Sequence, residues 1–547
     1  MANLIVGPLL RYVSETEATI WVETDEPADV EVLGNKSRTF HVEGHHYAIV
    51  AVRGLEPGSI NPYEVRIDGR SRWPVPGNAF PASAIGTLNR AEPLKLVFGS
   101  CRVAVPHDPP YSLTKDQDDR GREIDALYAL ALCMRARPRA EWPQVLMMLG
   151  DQIYADEDSP KTREFIRRRR DTSRAPGEGV ADFEEYTRLY WESWRDPTLR
   201  WLFSTVSTVM IFDDHDVHDD WNTSAAWVET MRAKPWWRER ITSALVSYWI
   251  YQHLGNLAPA ELDESELLEQ VRATPDAGPL LREWAWNADH SANGSRWSHA
   301  RDLGNTRLIV LDSREGRVLS KAPRKIVDDE EWKWIESAAS GDFEHLLIAD
   351  TLPVLLSPGF HDAEAWNEAL CDGAWGRAAA KLGERIRRAL DLEHWAAFND
   401  SFERMAGLLA AVGAGKRGPA PASIVMLAGD VHHAYLAEVA FRRGAGVTSA
   451  VYQAVCSPFR NPLDAHERTF ARMGNSFAFR LLAGLLARAA GVRRPAIRWR
   501  LVQDPTFDNQ FATLEISGDE MTFRIEKVVP GDWENPRIEA SLERRLA

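Results

Sequence analysis

The sequence predicts an α/β protein preceded by a small all-β unit, and three observations carry that reading. From Met1 to about Arg90, short apolar or alternating runs are punctuated by turn residues. From Leu94 onward, strand-like apolar runs alternate with segments of helical spacing, the pattern of an α/β domain. Several of those runs end directly in polar residues able to do chemistry, and open α/β sheets place their ligand sites beyond the carboxyl ends of the strands.

In the first unit the strand candidates are Thr19 to Glu23, Val30 to Val32 and Ala48 to Val52. They are separated by Asp25-Glu26-Pro27, Leu33-Gly34-Asn35 and Glu56-Pro57-Gly58. Gly54 to Gly58 followed by Tyr63 to Ile67 looks like the late strands of a fibronectin type III-like sandwich. His41, His45 and His46 read as exposed loop histidines in preference to a metal site. The Pro/Gly-rich stretch Trp73 to Gly86 reads as a linker, so the expected division is 1–90 and 91–547.

In the second unit the strands are expected at Leu94 to Arg102, Gln144 to Leu149, Val206 to Phe212, Arg307 to Leu311, His345 to Ala349 and Ser423 to Ala428. Helical spacing covers Ile124 to Arg137 and Phe183 to Phe203. Two Trp- and Arg-rich helical insertions, near 225–290 and 363–415, are expected to pack over the sheet and roof the site. Near the end, Thr513 to Ile516 and Met521 to Ile525 flank a short Gly-containing polar loop, a hairpin signal.

Composition bounds the function. At 547 residues, 44% of them apolar, the chain is long enough for two or three domains with large cores. Its net charge of −15 argues against broad affinity for nucleic acid or anionic membranes, and it requires local cations at any site for an anionic substrate. Four scattered cysteines make no disulfide scaffold. The start MANLIVGPLLRYV has no basic n-region, and no apolar run is long enough to span a bilayer, so a cytoplasmic location is expected, with a processed exported form as the alternative. Two basic segments stand out. Arg163 to Arg174 reads as an acid-paired surface helix rather than a nucleic-acid contact. Leu481 to Arg500 reads as a helix docked on the body of the protein rather than one lying on a membrane.

The chemistry concentrates in Ile211 to Asn222. Five aspartates and two histidines lie between an apolar entry and a Trp. A fold tolerates so many like charges best around a cation, and carboxylate oxygen and imidazole nitrogen are standard metal ligands. Gly150-Asp151-Gln152-Ile153-Tyr154 offers an Asp at a strand end, able to bridge two cations, and a Tyr three residues on that suits a hard ion such as ferric iron. Gly429-Asp430-Val431-His432-His433 offers an Asp and a His that share a side if the chain stays extended. Cys101 can ligate as a thiolate, and its neighbour Arg102 can hold a phosphoryl oxygen.

The strings FGSCR, LGDQIYAD, FDDHDVHDDWN, LDSREGR and LAGDVHHAY, in that order, resemble the PhoD-like alkaline phosphatase D family of the calcineurin-like metallophosphoesterases. The resemblance covers nearly the whole chain. It implies an αββα-type metallophosphoesterase sandwich with helical insertions, behind the fibronectin type III-like unit. It implies Cys101, Asp151 and Tyr154 as ligands of Fe3+ with His432 beside them. Asp151 would bridge to a second site holding Ca2+, or Mg2+, Mn2+ or Zn2+, with Asp214 and Asp430 as ligands. Asp219, Asp220 and Asn222 fall where the family has further calcium ligands, although relatives often carry Asn where this chain carries aspartates. His215 would be the acid or transition-state stabiliser, and Arg102 and Arg314 would hold phosphoryl oxygens. A buried salt bridge is the alternative for Arg314. The implied activity is hydrolysis of phosphate monoesters or diesters by direct attack of a metal-activated hydroxide. The alternatives are a phospholipase- or phosphodiesterase-type enzyme for a bulkier substrate and a non-catalytic metal-binding protein on the same scaffold. The expected partner is a small-molecule phosphate ester, with no stable nucleic-acid complex.

Overall fold

The computed structural model describes residues 1–157, 159–291, 294–319 and 323–547. Two sheets form the larger part. In the first, the parallel strands Ser207–Ile211, Val145–Leu149 and Leu94–Gly99 lie side by side, and the antiparallel strands Gln510–Ser517, Glu520–Val529 and Arg537–Arg545 continue the sheet. The expected hairpin is the pair Gln510–Ser517 and Glu520–Val529, closed where Ser517 faces Glu520. In the second sheet, Thr306–Val310, His345–Ala349, Ser423–Ala428 and Ala450–Val455 run parallel, with antiparallel strands at both margins.

Side-chain alternation assigns the faces of the second sheet. Leu308, Val310, Leu347, Ala349, Val425 and Leu427 share a core with Leu96, Phe98, Leu514 and Phe523 of the first sheet. The intervening Ile309, Leu346, Ile348, Ile424 and Met426 pack instead against Trp332, Ile335, Phe402, Met405 and Leu409 from the helices outside. Strands buried on both faces read as continuous apolar runs, which is why the sequence announces them so clearly. The result is the αββα sandwich.

The N-terminal residues form two four-stranded antiparallel sheets. One holds Leu4–Val13, Glu17–Thr24, His45–Arg53 and Phe40–Val42, and the other holds Asn35–Arg38, Asp29–Val32, Val65–Ile67 and Arg70–Trp73. The expected linker is partly ordered, since Ala84–Gly86 pairs with Ile60–Pro62. Buried Arg11 ties this unit to the first insertion: its Nη1 and Nη2 donate to the carbonyls of Tyr251 and Gln252, at 3.1 and 2.6 Å. Those carbonyls belong to a π-helical turn, Trp249–His253, that directly continues the helix Trp237–Tyr248. No helix among the described residues is long and apolar enough to cross a membrane. The basic segment is acid-paired, with Arg167 on Glu178, Arg168 on Glu164, and Arg169 and Arg170 on Glu185.

Candidate metal centre

Four strands of the two sheets end at one place. Leu94–Gly99 delivers Cys101, Val145–Leu149 delivers Asp151, Ser207–Ile211 delivers Asp213 and Asp214, and Ser423–Ala428 delivers Asp430. The turns beyond the strands interlock. The Cys101 N–H donates to Gly150 O at 3.3 Å, and the Asp430 N–H donates to Ser100 Oγ at 2.9 Å. Cys101, Asp151, Asp430 and His432 all adopt left-handed backbone, with φ of 58, 52, 64 and 51°. For residues bearing a Cβ this costs on the order of 1–3 kcal/mol each, and such strain clusters at functional sites. Gly150 is required at its position: φ is +102°, and a Cβ there would meet Asp213 Cβ at 2.6 Å.

The left-handed turns also correct the geometric argument from alternation. The chain does not stay extended after Gly429, and Asp430 and His432 serve two adjacent donor groups. Ligand atoms of Cys101, Asp151 and His432 lie within 4.8 Å of one another, as do those of Asp151, Asp214 and His215, and those of Asp213, Asp214 and Asp430. Asp151 is common to the first two groups and Asp214 to the last two. Tyr154 Oη lies 3.2 Å from Asp151 Oδ2 and accepts from Asn461 Nδ2 at 3.2 Å.

The donor set fits a multivalent cation. Asp151 Oδ1 is buried with no hydrogen-bond partner. Burial and then repulsion from Asp151 and Asp430 push the Cys101 thiol well up. Burial, reinforced by Asp214, Asp216 and Asp430, does the same to Asp151, with His215 opposing. Burial, then Asp151 and Cys101, raise Tyr154. Three acids that resist ionisation together in one dry place are what a bound cation reverses. Burial lowers His432 to about 4, so its ring is neutral and able to ligate.

His215, Arg314 and His394 are all held as cations around the centre. Burial disfavours charge on His215, but Asp156 and Asp214 outweigh it and the imidazolium is strongly favoured. His215 Nδ1 sits 2.8 Å from Asp156 Oδ1, and its ring lies 4.6 Å from that of Tyr154. Arg314 is fully buried. Its Nε contacts Asp213 at 2.5 Å and its Nη1 contacts Glu393 at 2.6 Å. Its Nη2 reaches Asp214 at 3.2 Å and Asp430 at 3.6 Å. The buried ion pair foreseen as the alternative for Arg314 is therefore present, and Asp214 and Asp430 already share one cation.

Other expected site residues stand apart. Arg102 is turned away by the left-handed Cys101. Its Nε donates to buried Asp125 at 2.7 Å and its Nη1 to Ser193 Oγ at 3.0 Å, so its guanidinium is committed to a buried pair and not to a phosphoryl oxygen. Asp219 and Asp220 lie outside the three-donor groups. Asp219 is largely exposed. Burial and then the carboxyl of Asp391 push Asp220 up to about 9. Asn222 spends its amide on Arg314 O at 3.0 Å. Asp213 and Asp216 hold the turn: Asp216 accepts from the backbone of Asp151 and of Asp213, at 3.0 and 2.9 Å, and Asp213 accepts from the backbone of Asp214 at 2.9 Å.

Sequence reasoning missed Asp156, Glu393 and His394. Asp156 follows Tyr154 by two residues and could have been found there. His394 comes from a loop between helices. Its Nε2 lies 3.3 Å from Asp430 Oδ2 and its Nδ1 lies 2.7 Å from Glu364 Oε1. Although burial opposes it, His394 holds the Asp430 carboxyl far down, with Arg314 helping.

The chain is similar to known proteins in part of its sequence and in its fold. Residues 132–282 match the family model for PhoD-like phosphatases, and residues 1–85 match a domain of unknown function, DUF7800. No curated protein matches in sequence. The solved structure of PhoD superposes with a TM-score of 0.58 at 13% identity, over 98% of this chain and 91% of that one. A purple acid phosphatase, PPD1 from yellow lupin (Lupinus luteus) seeds, gives 0.45 at 10% identity, over 97% and 73%. Residues 132–282 are thus similar to PhoD-like phosphatases, and the fold of the chain as a whole is similar to that of PhoD.

Proposed function

We propose that this protein hydrolyses phosphate monoesters or diesters at the Asp151 cluster. Cys101, Asp151, Tyr154 and His432 would hold a ferric ion, and Asp151, Asp214 and Asp430 would hold calcium or another divalent ion beside it. The observation that carries the reading is Asp151 itself: a buried carboxylate with one unpartnered oxygen, common to a thiol/imidazole group and a carboxylate/imidazole group. When bound, such cations supply the Lewis acidity that acidifies water and neutralises phosphoryl oxygens.

The chain's own residues do the rest. His215 keeps its proton because Asp156 grips Nδ1, which leaves Nε2 as a donor for the leaving oxygen. Its Nε2 lies 3.8 Å from the exposed carboxylate of Asp219, on the side open to solvent. Arg314 holds Asp213, Asp214 and Asp430 in register and limits the charge they accumulate. No side chain is needed as a covalent nucleophile, and water attacks in line. The test is turnover of p-nitrophenyl phosphate and its bis-ester before and after chelation. Turnover of at least one, lost on chelation and restored by metal, supports the assignment. Metal-replete protein that cleaves neither refutes it.

A further inference from the structure

The segment 465–500 has properties that the candidate metal centre does not use. Its second helix, Phe477–Ala489, is apolar on two sides. Ala483 and Ala487 are buried, and the Phe479 ring packs 5.4 Å from Phe360 of the helix Pro358–Cys371. On the other side Phe477, Leu481, Leu482 and Leu485 are exposed, Phe477 at 82%. They recur at i, i+4, i+5 and i+8, so they form one stripe. Phe470 and Met473 of the preceding helix, Ala465–Met473, are exposed as well. A concentration of large exposed apolar side chains in one stretch marks an interaction surface, whereas scattered ones do not.

The same segment is strongly basic in an acidic chain. Ala465 to Arg500 holds eight arginines against one acid, Glu467, while the whole chain carries −15. Arg468 and Arg500 are paired, with Glu123 at 3.8 Å and Glu438 at 2.6 Å. Arg480 and Arg488 are partly offset by the nearby carboxyl of Asp362. Arg493 and Arg494 are exposed and make no ion pair among the described residues. This charge chooses between occupants. A second copy packed face to face would bring two net-positive segments together, each with eight arginines and one acid, a repulsion the contact would have to offset. An anionic bilayer satisfies the apolar stripe and the arginines at once.

We infer that the helices Ala465–Met473 and Phe477–Ala489 form a docking surface for an anionic lipid bilayer. The local charge reverses, over the segment 465–500, what the net charge of the whole chain implies about anionic membranes. The surface is also joined to the candidate centre: Asn461, just ahead of the first helix, donates to Tyr154 Oη at 3.2 Å.

The test is flotation of the full chain with phosphatidylcholine vesicles, with and without phosphatidylglycerol. The wild type should float with the anionic vesicles, less so at high salt. The double variant Leu481→Glu/Leu485→Glu should bind about tenfold more weakly or worse. Arg493→Glu/Arg494→Glu should lose the preference for anionic vesicles. Both variants should keep the wild-type circular dichroism and soluble-ester turnover, since every altered side chain is exposed. The inference is overturned if the wild type fails to float, or if the leucine variant binds as well as the wild type. It is equally overturned if sedimentation shows a dimer that the leucine variant dissolves, for the face would then belong to a second copy.

Discussion

Asp156 grips His215 from behind: its Oδ1 lies 2.8 Å from Nδ1, and its other oxygen accepts the backbone N–H of Asp219 at 2.5 Å. The carboxylate thereby fixes both the orientation and the charge of the imidazolium beside Tyr154 and the candidate metal cluster. His215→Asn should retain bound metal and lose turnover by about 100-fold or more, the usual worth of a positioned general acid. Asp156→Asn should also retain metal, and its rate should fall at a lower pH than in the wild type, because the His215 proton is held less tightly. Metal analysis with a pH–rate profile checks both; an unchanged profile in Asp156→Asn would remove its assigned role.

His394 holds Asp430 ionised at Oδ2, while Arg314 faces Oδ1. Replacing it with Ala removes a hydrogen bond to a proposed ligand carboxylate and should weaken metal binding by about 10- to 100-fold. Metal titration followed by calorimetry reads this directly. A wild-type isotherm would show that the 3.3 Å contact does no work at the site.

These two residues show where the sequence is legible and where it is not. Cys101, Asp151, Asp214 and Asp430 can be found because each follows a strand buried on both faces, and such strands are continuous apolar runs. His394 follows no strand; it reaches Asp430 from a loop between helices, and nothing in its neighbours announces that. Arg102 shows the opposite error. It adjoins a candidate ligand in sequence, but the left-handed backbone at Cys101 sends its side chain to Asp125. Two residues adjacent along the chain share a site only if the backbone between them allows it.

Arg102→Met should therefore act on stability before it acts on substrate binding. It leaves Asp125 buried without its partner, a loss of about 3–5 kcal/mol. Urea unfolding should register that loss, with KM for a soluble ester unchanged in the folded fraction. A raised KM with unaltered stability would restore Arg102 to the substrate.

His45 makes a separate prediction about pH. Glu184 and Glu23 hold it at 2.9 and 2.8 Å and, against burial, raise it from 6.5 to about 9. The raised value means that the charged ring stabilises the fold fully below pH 6.5, and that this contribution fades as pH rises through about 9. The melting temperature of the wild type should fall across that window more steeply than that of His45→Gln. Parallel curves would contradict the assignment.

The central claim is that Asp151 joins a metal centre to phosphoester hydrolysis, and the most direct measurement pairs metal content with turnover in Asp151→Ala. The wild type should purify with bound metal, show tyrosinate or thiolate charge-transfer absorption if that metal is ferric, and cleave bis-p-nitrophenyl phosphate or its monoester. The variant should lose metal and turnover together. A folded Asp151→Ala protein that keeps wild-type turnover without metal would contradict the account.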